Sequence, residues 1–151
     1  MNPKIYPRSP YKKLGGYVHL PRLIDKARLH RRGSLRGYNY KTYGFDRYLL
    51  AFLGVSGDEF EAAVDRFCTD EEILEWLLSR GVSHTPAEVE AWNQAMLSKR
   101  PDTPEKQERF REVLRQVGGS EASGVQTYFD LIDFEERRGE FEARRARSES
   151  V

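Results

Sequence analysis

Ser56-Gly57-Asp58-Glu59-Phe60-Glu61-Ala62-Ala63-Val64-Asp65-Arg66-Phe67-Cys68-Thr69-Asp70-Glu71-Glu72-Ile73-Leu74-Glu75-Trp76-Leu77-Leu78-Ser79-Arg80-Gly81 reads as two successive helices, and this pair sets the fold class. Each opens on a hydroxyl residue whose oxygen can accept a bond from a free N–H of the first turn. Each also carries Glu three residues later, Glu59 after Ser56 and Glu72 after Thr69, so that a capping box can form. Behind the caps, Phe60, Ala63, Val64 and Phe67, then Ile73, Leu74, Leu77 and Leu78, recur at helical spacing and predict one buried stripe per helix. Gly81 is the expected stop, on the ground that glycine takes the left-handed conformation that ends helices.

The same punctuation continues outward. Thr85-Pro86-Ala87-Glu88 and Thr103-Pro104 put proline at the first helical position, where its missing N–H costs nothing. Val89, Trp92, Met96 and Leu97 follow the first, and Phe110, Val113, Leu114 and Val117 follow the second, with Gly118-Gly119 as a stop. A last helix is expected from about Val125 through Phe129 and Ile132 to Arg138, before a charged tail over 139–151 that has little to bury and should be mobile. Upstream, 21–32 reads as a helix with Leu20, Leu23, Ile24 and Ala27 on one side and Gly33 as its end, and 46–53 as a shorter one closed by Gly54. Between them, 34–44 lacks a helical period. Tyr38 and Tyr40 alternate there as in an extended segment, with room for one short hairpin. The expectation is an all-α protein: a compact multi-helix bundle with an irregular N-terminal arm and Tyr-rich loop, one helical domain over 1–138 and the tail 139–151.

Composition limits the function classes. A chain of 151 residues suits one domain. With 38% hydrophobic and 32% charged residues it is polar, yet rich enough in Leu, Phe, Tyr and Trp to fold. No apolar run approaches the roughly 20 residues of a membrane span. The first ten residues, with Pro3, Pro7 and Pro10, do not resemble a secretory signal, so the mature chain is expected to begin at Met1 and to be cytoplasmic. Cys68 is the single cysteine, which excludes an intrachain disulfide and fits a reducing compartment. One Cys and three scattered His do not supply a closed four-ligand zinc site, and no metal is expected.

Charge is divided unevenly. Residues 1–48 hold twelve Lys or Arg against only Asp25 and Asp46, a balance of +10, and residues 49–151 hold 13 basic and 22 acidic residues, a balance of −9. Seven of the eight tyrosines also fall in the basic third. Such a segment could stack bases on tyrosines while Arg31, Arg32, Arg36 and Lys41 meet phosphates. Dedicated nucleic-acid domains are basic as a whole, however. Docking of the basic third on the acidic helices of the same chain, or of a second copy in a homo-oligomer, is the favoured reading.

The string Ser9-Pro10-Tyr11, Leu14-Gly15-Gly16-Tyr17-Val18-His19-Leu20-Pro21-Arg22-Leu23-Ile24-Asp25-Lys26-Ala27-Arg28 resembles the signature of the bacterial family that carries domain of unknown function 5069. Gly37-Tyr38-Asn39-Tyr40, Asp46 with Leu50-Ala51-Phe52-Leu53-Gly54, Thr69-Asp70-Glu71-Glu72 to Trp76, and Thr127-Tyr128-Phe129-Asp130-Leu131-Ile132-Asp133 are similar to its further blocks. Glu135-Glu136-Arg137-Arg138 departs from the acidic-then-glycine pattern expected there. The resemblance implies a small helical bacterial protein and carries over no catalytic residue and no cofactor.

Individual residues give a short set of candidates. Gly15-Gly16 lacks the following Lys-Ser/Thr of a phosphate loop and reads as a turn. His19 stands just before the Pro21 helix, where its ring could face free N–H groups and a bound anion, or could pack and hydrogen-bond locally. Asp25 and Arg28 are three apart on that helix and Arg22 is one turn before Lys26, so a carboxylate or phosphate pocket and a solvated ion-paired face are both open readings. Cys68 is expected to pack as a small apolar residue, because the surrounding acids do not favour a reactive thiol. Trp76 and Trp92 read as core anchors, and Asp70-Glu71-Glu72 as first-turn acids that complement the helix dipole. The leading reading is therefore an anion- or phosphometabolite-binding module built on His19, Arg22, Asp25, Lys26 and Arg28, with Tyr38 and Tyr40 as its cover. A helical interaction or oligomerisation protein is the alternative, and an enzyme with His19, Asp25 or Tyr40 as acid–base groups is the third.

Overall fold

The structure is a computed structural model that describes residues 6–35, 38 and 40–149. Among these residues it is mostly helical: α1 Leu20–Arg31, α2 Gly44–Leu53, α3 Gly57–Arg66, α4 Asp70–Arg80, α5 Pro86–Leu97, α6 Pro104–Gln116, α7 Tyr128–Glu136 and α8 Arg138–Glu149. The only strands described are β1 Lys13–Leu14 and β2 Tyr17–Val18, an antiparallel pair with Lys13 opposite Val18 and Leu14 opposite Tyr17. The backbone gathers into two compact units, 1–93 and 94–151, and the division falls within α5. No described helix is long and apolar enough to cross a membrane.

In the first unit, the caps act as the sequence requires. Ser56 accepts from the N–H of Glu59, Thr69 from that of Glu72 and Thr85 from that of Glu88, and each Glu accepts in return from its cap residue's N–H. Helices α1 to α4 bury Leu20, Leu23, Ile24, Leu49, Leu53, Phe60, Val64, Ile73 and Leu77 in one core, against which Trp76 and Trp92 pack from its edge. A hairpin lies at 13–18, where Gly15 (φ 59°) and Gly16 (φ 89°) supply the two positive φ angles of a two-residue turn; the one with room in 34–44 falls partly outside the described residues. Buried Asn93 of α5 ties the 13–18 hairpin down, accepting from the Val18 N–H (3.2 Å) and donating to the Gly16 carbonyl (2.8 Å).

Three expectations for this unit need correction. Leu78 is 62% exposed, because four apolar residues span more of the helix surface than the neighbouring core covers. Cys68 is exposed, since the chain is already extended at Phe67, where α3 ends. Gly81 is not left-handed (φ −86°, ψ −172°); a side chain there would put its Cβ against the Leu53 carbonyl oxygen, so closeness of backbone selects glycine.

In the second unit, Thr103 caps α6 by accepting from Lys106 N–H, and Thr127 caps α7 by accepting from Asp130 N–H. The tail over 139–151, expected from sequence to have little to bury, contributes all but the first residue of α8 and places Phe141 at 1% exposure, edge-on to Phe134 (5.6 Å) and beside Leu114. Asp133, also 1% exposed, accepts from Arg144 at 3.1 Å.

Candidate functional site

Helix α1 carries most of the candidates, and its two sides do different things. Toward the interior, His19 takes a left-handed conformation (φ 71°) just ahead of the helix, and its N–H bonds the carbonyls of Pro10 (2.9 Å) and Lys12 (3.2 Å). That turn aims the ring away from the helix's free N–H groups and at Asp46, in the first turn of α2, with His19 Nε2 2.6 Å from Asp46 Oδ1. Lys26 Nζ reaches both Asp46 oxygens, at 3.2 and 3.3 Å, and Lys41 donates its backbone N–H to Oδ2 at 3.2 Å. Exposure is 1% for His19, 1% for Asp46 and 6% for Lys26. One carboxylate thus joins the hairpin, α1, the segment before α2, and α2 itself.

Burial holds the His19 imidazolium in disfavour and lowers its pKa, against the pull of the Asp46 hydrogen bond and charge. A carboxylate can only accept, so Nε2 carries the proton that bonds Asp46, and burial disfavours a second proton on the ring. Burial on its own would raise the Asp46 carboxyl; the His19 hydrogen bond and the Lys26 charge outweigh it and hold Asp46 below its usual value. Arg22, also buried at 3%, donates to the Arg8 carbonyl (3.3 Å) and lies over the Tyr38 ring at 5.7 Å. Tyr40 donates to Glu61 (2.9 Å), which also receives Lys41 Nζ (2.9 Å); burial and then that carboxylate push the Tyr40 phenol up.

Toward the surface, Asp25 and Arg28 line a cavity of about 260 Å³ together with Tyr6, Pro7, Leu29 and Arg32. Asp25 does not orient Arg28. It receives Arg8 instead, through the backbone N–H (2.8 Å) and Nε (3.0 Å) on Oδ2 and Nη2 (3.0 Å) on Oδ1. Arg8 continues to Asp70 (2.6 Å), and Arg28 reaches Asp70 at 3.5 Å and the Cys68 carbonyl at 3.2 Å. Arg32, one turn after Arg28, is exposed, and among the described residues no carboxylate lies within ion-pair reach of it.

The structure therefore brings Asp25 and Arg28 to an accessible cavity, sends His19 and Lys26 to Asp46, and puts Arg22 with Tyr38 and Tyr40 with Glu61. Sequence reasoning missed Arg8, Tyr6 and Asp46, and named Arg32 only as a phosphate contact for a nucleic acid. A signal for Asp46 was present: it and Asp25 are the only acids among twelve bases in residues 1–48, and each gathers several donors. Further pairs, Arg31 with Asp65 (3.5 Å) and Lys41 with Asp58 (3.0 Å), also set the basic third against the acidic face of α3.

The family model described as Domain of unknown function (DUF5069) matches residues 4–138. The chain belongs to that family. No curated protein matches it.

Proposed function

We propose that this member of the family is a binding module for a small anion, a phosphometabolite in the first instance, received in the cavity beside α1. The observation that carries the reading is the pair of guanidiniums, Arg28 and Arg32, one helical turn apart on the wall of that cavity. Arginine forks match phosphate and carboxylate oxygens two at a time. Arg8, Arg28 and Arg32 exceed the carboxylates of Asp25 and Asp70 at that wall by one charge, which is more than the about half an elementary negative charge of the C-terminal end of α1. Clamped by Arg8, Asp25 is fixed in place on the rim. In this reading His19, Lys26 and Asp46 are the rigid footing that holds α1, and the buried Arg22 lies over the Tyr38 ring. A cytoplasmic, bacterial setting belongs to the proposal, supported by a single exposed thiol and by the family resemblance.

Acid–base catalysis by His19 or Tyr40 is disfavoured by geometry, because His19 is buried against Asp46 and Tyr40 is bound to Glu61. A protein-interaction role finds support in Leu78 and Val82, four residues apart and 62% and 57% exposed at the end of α4. The anion reading is tested by a thermal-shift panel of inorganic phosphate, pyrophosphate and sugar phosphates. Saturating ligand at 100 times Kd stabilises by about 2.7 kcal/mol, enough to move Tm visibly. Arg28→Ala is expected to fold and to lose the shift. Absence of any shift in the wild type, or unfolding of Arg28→Ala, would count against it.

A further inference from the structure

We infer that the ligand of this cavity is a short-chain phosphomonoester bearing a hydroxyl group, and that Asp25 reads the hydroxyl. The inference rests on the anion-binding reading above and adds the ligand's chemical class. Two features of the wall select it. Arg32 offers a fork and Arg28, which directs one N–H at Asp70 and one at the Cys68 carbonyl, keeps three of its five donors, and a phosphomonoester has three terminal oxygens to share between them where a carboxylate has two. Asp25 then supplies an acceptor beside those cations. A carboxylate has about four lone-pair directions. Oδ2 accepts two bonds from Arg8 and Oδ1 accepts one, which leaves an acceptor direction on Oδ1 in a side chain 22% exposed at the cavity. That direction repels the phosphate itself and accepts an O–H from the carbon chain next to it. Arg8 holds the carboxylate at three points, so its geometry is set before a ligand arrives. The volume, about 260 Å³, lies just below the ~300–1,000 Å³ of typical small-molecule sites and favours a chain of a few carbons over a nucleotide.

The test is calorimetric titration of the full chain with glycerol 3-phosphate, propyl phosphate and inorganic phosphate at one pH. Glycerol 3-phosphate, with two hydroxyls, should bind about tenfold more tightly than propyl phosphate, which has none, the effect of one of the two bonding a charged acceptor. Arg32→Ala should weaken both esters by a similar factor and keep their ratio, since it meets only the phosphate. Equal affinity of the two esters for the wild type overturns the inference and leaves the anion reading standing. No binding by any of the three overturns both. Asp25→Asn should reduce the ratio toward one, but the wild-type comparison decides the matter even where that variant does not fold.

Discussion

Asp46 and Asp25 are the two acids of a strongly basic segment, and they have opposite surroundings. Asp46 is 1% exposed and fully engaged by His19, Lys26 and the Lys41 N–H, whereas Asp25 sits at the edge of a cavity with one oxygen only half used. A carboxylate with donors on every side in a sealed interior fixes structure. One clamped from behind and open in front is suited to meet a ligand. The same helix serves both, because Lys26 and Asp25 are neighbours in sequence and project from α1 in different directions.

The largest effect is expected at the sealed end of the comparison. Asp46→Ala leaves the Lys26 ammonium buried without its counter-charge, and removing one partner of a buried pair costs about 3–5 kcal/mol. Urea denaturation of that variant should show most of the protein's stability gone, and a loss under about 1 kcal/mol would show that the network holds little together.

Acid should attack the same network next. In the unfolded chain His19 protonates near pH 6.5, whereas in the folded chain burial postpones this to lower pH. The unfolded state therefore binds more protons in between. Stability is fully present above about pH 6.5 and is lost as the pH falls through the depressed folded value. Asp46, held below its ordinary 3.8, contributes a second loss as the pH drops below that value. Urea midpoints from pH 8 to pH 3 should decline in these two stages; a flat profile from pH 7 to pH 5 would contradict the buried neutral imidazole.

At the open end the effects shrink. Arg8→Ala removes a half-exposed guanidinium from Asp25 and Asp70, and a loss of about 1 kcal/mol is expected, at the upper end for solvent-screened pairs. It should also relax Asp25 and weaken anion binding, measured by the same thermal shifts. Arg32→Ala should change stability by no more than about 0.5 kcal/mol while reducing the shift with phosphate. A large stability change at Arg32 would place it with the structural cations.

The helices were legible because their signals are local. Ser56, Thr69, Thr85 and Thr103 announce their helices within four residues, and the apolar spacing behind them follows the same period. α8 escaped notice because its one deep anchor, Phe141, is isolated among charges, so no stripe appears until Phe134 and Leu114 are known to meet it. The site was legible only as far as α1. His19, Arg22, Asp25, Lys26 and Arg28 were singled out by type and spacing, but which of them face inward depends on Arg8 from 17 residues before Asp25 and on Asp46 from 20 residues after Lys26. Helical period places residues on faces of a helix, and only the packing of the other segments decides which face is sealed.

The most direct measurement is a two-dimensional amide NMR titration of the wild-type protein with inorganic phosphate. The account predicts progressive, saturable shifts at Tyr6, Asp25, Arg28, Leu29 and Arg32, with the amides of Lys26, Asp46 and Leu49 unmoved. Shifts centred instead on His19, Arg22, Lys26 and Asp46, or no saturable shift at the cavity, would contradict it.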